Sequence, residues 1–236
     1  MSALPKCWAV IPAAGIGERV GSKIPKQYLQ VAGKTILEHS ITPFVNSSYM
    51  VGITVAIHPQ DTCFESLNLK NSASNKLHSV TGGATRAHSV LNALNSIEAK
   101  VDENDFVLVH DAARPCLSDS DLNHLITSCM AHDVGGIIGV RMTDTIKNVD
   151  KDGMVSTLDR ENIWRAYTPQ MFKFGLLRRA IQSALNDNVY ITDEASAIEY
   201  IGYQPCIVEG DARNIKVTTA EDVALAEIFL KKEMNL

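Results

Sequence analysis

Short apolar runs rich in Val and Ile recur along the chain, separated by stretches with helical spacing. Residues 7–12, 51–57, 105–110, 135–140 and 205–208 have the length and composition of buried strands. Between 85 and 98, Ala87, Val90, Leu91 and Leu94 fall at i, i+3, i+4 and i+7, one face of a helix. Leu225, Ile228 and Phe229 repeat that spacing within 220–232, and Thr218-x-x-Glu221 predicts a capping box at the helix start. Alternation of strand and helix predicts βαβ units and a mostly parallel sheet covered by helices. A (β/α)₈ barrel would require more strong strand–helix units than are present.

Residues 141–163 interrupt the alternation. They are polar, carry the turn-like Asp150-Lys151-Asp152-Gly153, and are flanked by short β-type runs, which predicts a projecting β-hairpin. Two readings of it stay open: a solvated loop, or an arm that grips another subunit, because a lone hairpin is marginal in water. No Pro/Ser linker, repeat or low-complexity tract divides residues 1–236, which read as one domain with this segment inserted. The expected fold is therefore α/β: a Rossmann-like three-layer sandwich with a mostly parallel twisted sheet, plus a projecting β-hairpin arm, which on the second reading serves dimerisation.

Composition narrows the function classes. Of 236 residues 45% are hydrophobic and 21% charged, enough apolar side chain for a sizeable core. The formal charge of −5 provides no global basic field, so nucleic acid is not an expected partner and any polyanion must bind at a local cluster. The apolar runs are too short to span a bilayer, and the first residues lack the apolar core of a signal peptide. Five scattered cysteines without a C-x-x-C pair, and histidines without ligand spacing, point to a cytoplasmic protein with no structural metal.

Two strand ends carry candidate chemistry. After the first strand come Pro12, Ala13, Ala14, Gly15 and Gly17, small residues that let backbone approach a ligand and offer N–H groups to phosphate. The dinucleotide fingerprint fails because Val20 stands where its third glycine belongs. The P-loop pattern ending in Ala32-Gly33-Lys34-Thr35 fails because Tyr28 replaces its first glycine. What remains is a glycine turn followed by Arg19 and Lys26, cations suited to a polyphosphate and to charge on a transferring phosphorus. The strand at 105–110 leads into Asp111, placed to hold Mg²⁺ with substrate phosphates, and Arg114, placed to clamp a second anion. The plain alternative is that Asp111 caps the next turn and pairs with Arg114.

Seven stretches in series resemble the 2-C-methyl-D-erythritol 4-phosphate cytidylyltransferases over nearly the whole chain: Pro12-Ala-Ala-Gly-Ile-Gly-Glu-Arg19, Pro25-Lys-Gln27, His110-Asp-Ala-Ala-Arg-Pro115, Leu158-Asp-Arg160, Thr168-Pro-Gln170, Thr192-Asp-Glu-Ala-Ser196 and Asn214-Ile-Lys-Val-Thr218. The resemblance implies that CTP and methylerythritol phosphate react to give 4-diphosphocytidyl-methylerythritol and pyrophosphate, with Mg²⁺, in non-mevalonate isoprenoid precursor biosynthesis. It implies that Arg19 and Lys26 stabilise the transition state and that Asp111 is the Mg²⁺ ligand. Lys216, expected on a late strand over 214–218, approaches the α-phosphate. By the same resemblance Arg160, at the arm's end, would hold the substrate phosphate across a homodimer. Substrate hydroxyls fall to Asp111, Arg114, Thr145, Thr168 and Thr192, with Ala112 beside them. Cytosine falls to the backbone of Ala14, Gly15, Gly82 and Gly83 and to Ser89.

Three positions depart from the family pattern. Ala84 and His88 stand where acidic residues are frequent, and Glu18 where a basic one is. The nearest rival is a ribitol-5-phosphate cytidylyltransferase, and Thr192-Asp-Glu-Ala-Ser196 with the Ala112-Ala113 pair favours methylerythritol phosphate. A sugar-1-phosphate or molybdopterin nucleotidyltransferase would leave Asn-Ile-Lys and Asp-Arg without a role. A non-catalytic nucleotide-binding subunit would have lost Arg19, Lys26 or Lys216.

Overall fold

A computed structural model describes residues 6–15, 24–67, 69 and 76–233. Strand β1 (Cys7–Ala13) is central to a seven-stranded sheet. Its side chains alternate: Cys7, Ala9, Ile11 and Ala13 pack on one face, Trp8 and Val10 on the other. Strand β4 (Met50–Ile57) pairs parallel with β1 on one side, after the small β2 (Gln30–Val31) and β3 (Lys34–Thr35). Strand β5 (Leu77–Thr81) follows at the edge, again parallel. On the other side β6 (Phe106–Val109) pairs parallel with β1.

Beyond β6 lies β10 (Trp164–Lys173), then β7 (Gly135–Arg141) and β11 (Cys206–Glu209). β10 runs antiparallel to both neighbours, and every other pairing in this sheet is parallel. β8 (Ile146–Val149) and β9 (Val155–Leu158) pair antiparallel in a two-stranded sheet of their own, turning at Gly153 with φ +80°.

Helices cover both faces. α1 (Ile36–Asn46) and α3 (Asp119–Met130) bury Phe44, Leu122 and Leu125 against Ile11, Ile53 and Leu108. On the opposite face α2 (Arg86–Ile97), α4 (Phe174–Asn186) and α5 (Glu194–Tyr200) bury Leu94, Leu177 and Ile198 with Val10 and Val107. Burying such side chains contributes about 1.5–3 kcal/mol each, which is the main support of the layered arrangement. Among the described residues no helix is long and apolar enough to cross a membrane.

Three local expectations need correction. Residues 214–218 form no strand. They are a loop tied to the segment after β6 by the Val217 N–H, which donates to the Ala113 carbonyl at 2.8 Å. The cap of α6 (Ala220–Glu233) is shifted by one residue: the Asp222 carboxylate accepts from the Thr219 N–H at 2.9 Å, and the Asp222 N–H donates to Thr219 Oγ1 at 3.4 Å. Leu225 and Ile228 are 40% and 62% exposed, because α6 packs through Ala226 and Leu230 onto Val31, Ile36 and Val217. Apolar residues lie all round α6, so their spacing did not single out the packed face.

Candidate active site

Strand order reverses beside β1: β4 and β5 lie to one side of it, β6 and the later strands to the other. Open α/β sheets take ligands in the crevice at the carboxyl ends of such strands. A cavity of about 250 Å³ lies there, walled by the segments that leave β1, β5 and β6. Pro12, Ala13, Ala14 and Gly15 come from the first, Gly83, Ala84, Thr85, Arg86 and Ser89 from the second, Asp111, Ala112 and Ala113 from the third. Lys26, Gln27 and Lys216 complete it.

Each wall has a local cause. Gln27 is buried, and its side-chain amide donates to the Ala13 and Gly15 carbonyls at 2.8 and 3.1 Å, setting the course of the chain after β1. The Gly83 N–H donates to Ser89 Oγ at 3.0 Å and that hydroxyl donates to the Thr85 carbonyl at 3.0 Å, so Ser89 orders this loop. Gly82 passes so close to Ala14 that an added Cβ would lie 2.4 Å from the Ala14 methyl. His88 is exposed and its Nδ1 lies 2.8 Å from Thr85 Oγ1.

Asp111 is the electrostatic centre. Arg86 Nε lies 2.9 Å from Oδ1, Lys216 Nζ 2.8 Å from Oδ2 and Arg114 Nε 3.7 Å from Oδ2. Burial alone would raise this carboxyl's pKa, but the three cations outweigh it and hold the group well below the usual carboxylate range. Arg86 also grips Glu194 through both oxygens, at 2.6 and 3.0 Å, across 108 residues of chain. Burial opposes the charge on Arg86, yet Glu194 and Asp111 together raise its pKa, so it stays protonated. The Lys26 ammonium donates to the Val217 carbonyl at 3.1 Å, which places it on the same rim as Lys216.

Behind Asp111 a hydrogen-bonded chain fixes the backbone. The Asp111 N–H donates to Thr168 Oγ1 at 3.0 Å, and that hydroxyl lies 3.0 Å from His110 Nδ1. His110 Nε2 lies 3.1 Å from the Arg114 carbonyl, which can only accept, so Nε2 carries the proton and the Thr168 hydroxyl donates to Nδ1. The ring is fully buried, and burial pushes its pKa down to about 4 despite those bonds. The unfolded chain then binds a proton that the folded chain refuses, so stability falls as pH drops from about 6.5 towards 4. Urea unfolding is expected to show about 2 kcal/mol lost to this group between pH 7 and pH 5. His110→Gln should flatten that dependence; parallel profiles for the two proteins would contradict a buried neutral imidazole.

The remaining expected site residues are placed as follows. Arg114 is buried, stacks on the Tyr167 ring at 4.3 Å and donates to the Asn214 carbonyl at 2.8 Å, so it braces Asp111 from behind. Thr168 is buried in the chain just described, and its carbonyl accepts from Asn214 Nδ2 at 2.8 Å. Thr192 is exposed at the entry to α5, and its hydroxyl lies 3.5 Å from Asp193 Oδ1. Thr145 is exposed before β8, and Arg160, exposed after β9, donates to the Thr143 carbonyl, so this chain does not bring either to its own cavity. Gly17 and Arg19, with Glu18, lie outside the described residues.

Sequence reading missed Arg86 and the pairing role of Glu194. The available signal was an arginine at the first position of a helix just after the Gly82-Gly83 pair, but nothing local reveals its distant partner. Gln170 was also missed as an individual residue: its Nε2 donates to Asp193 Oδ2 at 2.8 Å and its Oε1 accepts from the Ala195 N–H at 2.8 Å. It thereby fixes the start of α5 against β10.

Residues 7–232 match the model of one family, described as 2-C-methyl-D-erythritol 4-phosphate cytidylyltransferase (IspD). The protein of that name from Hahella chejuensis is 44% identical over 231 residues, covering 98% of this chain and 95% of its own. That from Pseudomonas putida is 48% identical over 222 residues, covering 93% and 94%. The crystal structure of the Francisella tularensis protein of the same name superposes with a TM-score of 0.80 at 38% identity, covering 95% of this chain and 99% of that one.

Proposed function

The chain belongs to the family of 2-C-methyl-D-erythritol 4-phosphate cytidylyltransferases, nucleotidyltransferases that carry CMP from CTP to that phosphate in isoprenoid biosynthesis, and we propose that the cavity at β1 and β6 is where it does so. The observation that supports this placement is the meeting of Lys26, Lys216 and Asp111, from distant parts of the chain, around one cavity.

A phosphate oxygen of methylerythritol phosphate attacks the α-phosphorus of CTP in line. The new P–O bond forms as the bond to the β-phosphate oxygen breaks, and pyrophosphate leaves with the electron pair. Both reactants are anions, so screening and orientation are the protein's main contributions. Lys26 and Lys216 supply positive charge beside the α-phosphorus, a role that the resemblance also gives to Arg19. The nucleophile is already ionised at neutral pH, so no general base is needed, consistent with a His110 ring spent on holding the backbone. The backbone of Ala14, Gly15 and Gly83 lines a slot for the cytosine, with Gly82 packed against Ala14 behind it, and Ala84 offers no acidic side chain. Thr192, at the entry to α5, and Arg114, through Asp111, serve the substrate side.

A hard divalent cation such as Mg²⁺ fits in a limited way. Asp111 is the carboxylate that lines the cavity, and no cluster of three or more metal-ligating side chains occurs among the described residues. Asp111 would hold such a cation together with the substrate phosphates. Bound there, it would neutralise phosphate charge.

Arg160 and Thr145 complete the site from a partner subunit. Support comes from their place beside the β8–β9 hairpin and from its outer apolar side chains: Val149, Met154 and Val155 are 58%, 69% and 62% exposed. Mixing inactive Arg160→Ala with inactive Lys26→Ala protein is expected to regenerate active sites; a mixture that stays inactive after demonstrated subunit exchange would contradict sharing. The function itself is tested by pyrophosphate release with each of the four nucleoside triphosphates and with methylerythritol phosphate or ribitol 5-phosphate as acceptor. CTP with methylerythritol phosphate should be the best pair, and equal or better turnover with ribitol 5-phosphate would reassign the acceptor.

A further inference from the structure

Arg86 lines the cavity, yet its guanidinium faces two carboxylates. Nε lies 2.9 Å from Asp111 Oδ1, and the two terminal nitrogens lie 2.6 and 3.0 Å from the oxygens of Glu194. Glu194 is 2% exposed, the first residue of α5, and both of its carboxylate oxygens are taken up by these nitrogens. For Arg86 to turn towards a phosphate it would have to leave Glu194 charged and buried without a counter-ion, a strongly unfavourable state. The pair is neutral as a unit, so it adds little net field at the phosphates.

Its geometric effect is specific. Nε on Oδ1 fixes the rotation of the Asp111 carboxyl and directs Oδ2 towards Lys216 Nζ at 2.8 Å. Helix α2 begins at Arg86 and α5 at Glu194, so the pair also joins the loop after β5 to the start of α5, beside Thr192. We propose that Arg86 is a positioning residue for nucleotidyl transfer: held by Glu194, it orients Asp111 so that one oxygen faces Lys216 and the reacting phosphate. This rests on the cavity being the transfer site.

Steady-state kinetics of Arg86→Lys, Glu194→Gln and Arg86→Ala test it, with wild type run alongside. Lysine keeps the charge but cannot span two carboxylates with a planar fork. Each variant should lose about 10- to 100-fold in kcat, the scale of a misplaced catalytic group, while KM for CTP stays within about threefold. Guanidinium ion added at millimolar level should restore kcat of Arg86→Ala by about tenfold and leave Lys216→Ala unchanged, because it refills the space between the two carboxylates. A KM for CTP raised about tenfold with kcat kept would make Arg86 a direct phosphate ligand and overturn the proposal. Wild-type kcat in Arg86→Lys and Glu194→Gln would overturn it equally. If Arg86→Ala does not fold, the other two variants decide. A wild type that releases no pyrophosphate from CTP and methylerythritol phosphate would instead remove the premise.

Discussion

Lys216→Ala lowers kcat/KM by at least about 100-fold and leaves the folding stability within about 0.5 kcal/mol of wild type. The two halves of this expectation have separate causes. The Lys216 side chain is 42% exposed, so its ion pair with Asp111 is screened by water and holds little of the fold together. In the proposed transfer the same ammonium would face charge that grows at the phosphorus, inside a cavity whose polar groups are already held in place, where a preplaced cation counts for far more. Steady-state kinetics and urea unfolding measure both halves. A near-normal rate would remove Lys216 from the mechanism, and a large stability loss would make it a structural residue.

Asp111→Asn behaves differently, because it damages activity and fold together. Asp111 is 7% exposed, and its carboxylate neutralises the inner edge of Arg86 and Arg114. An amide of the same shape leaves the buried Arg114 without a carboxylate and Arg86 with Glu194 alone, at a cost of about 3 kcal/mol. Activity should fall at least about 100-fold, since the anchor for Lys216 and the carboxylate proposed to hold a divalent cation go with it. Urea unfolding at neutral pH together with turnover gives the answer. An Asp111→Asn protein as stable as wild type would show that Arg114 needs no counter-charge. The removed group also sets a pH window: with its folded pKa depressed, its stabilisation is present above the ordinary carboxylate range and is lost as acid is added below it.

How legible the molecule was from residues alone differs from element to element. β1 and β6 announced themselves because they are buried on both faces, which demands uninterrupted apolar residues of small or branched shape. The segments leaving them were legible for a related reason: Ala13, Ala14 and Gly15, and Asp111 after Val109, break the apolar run with residues that a mere turn does not require. β10 was not read as a strand. It is antiparallel, follows the polar hairpin, and carries Thr168, Pro169 and Gln170 in its middle, residues chosen for Asp111, Asn214 and α5 and not for strand propensity. Its register accordingly shifts between Ala166 and Gln170 against β7.

The polar heart of the site was harder still. A charge pair spanning 108 residues leaves no periodic trace, so nothing in the sequence joined Arg86 to Glu194. Arg114 carried the opposite lesson. A surface-like arginine three residues after an acidic strand end suggested an anion clamp, whereas here it lies buried against Tyr167 and Asn214 with Asp111 beside it. The motif around 214–218 was visible as a motif, but its form as a loop depends on long-range tethers, Val217 to Ala113 and Asn214 to Arg114 and Thr168, which no local pattern encodes.

Whether one phosphorus atom is truly shared by side chains so far apart in the chain is best decided by a crystal structure of the protein with CTP bound. We expect the α-phosphorus beside Asp111, in reach of both the Lys26 and Lys216 ammonium groups, with the base against Gly82 and Gly83. Nucleotide phosphates found elsewhere, with those two lysines still turned to Val217 and Asp111, would contradict it.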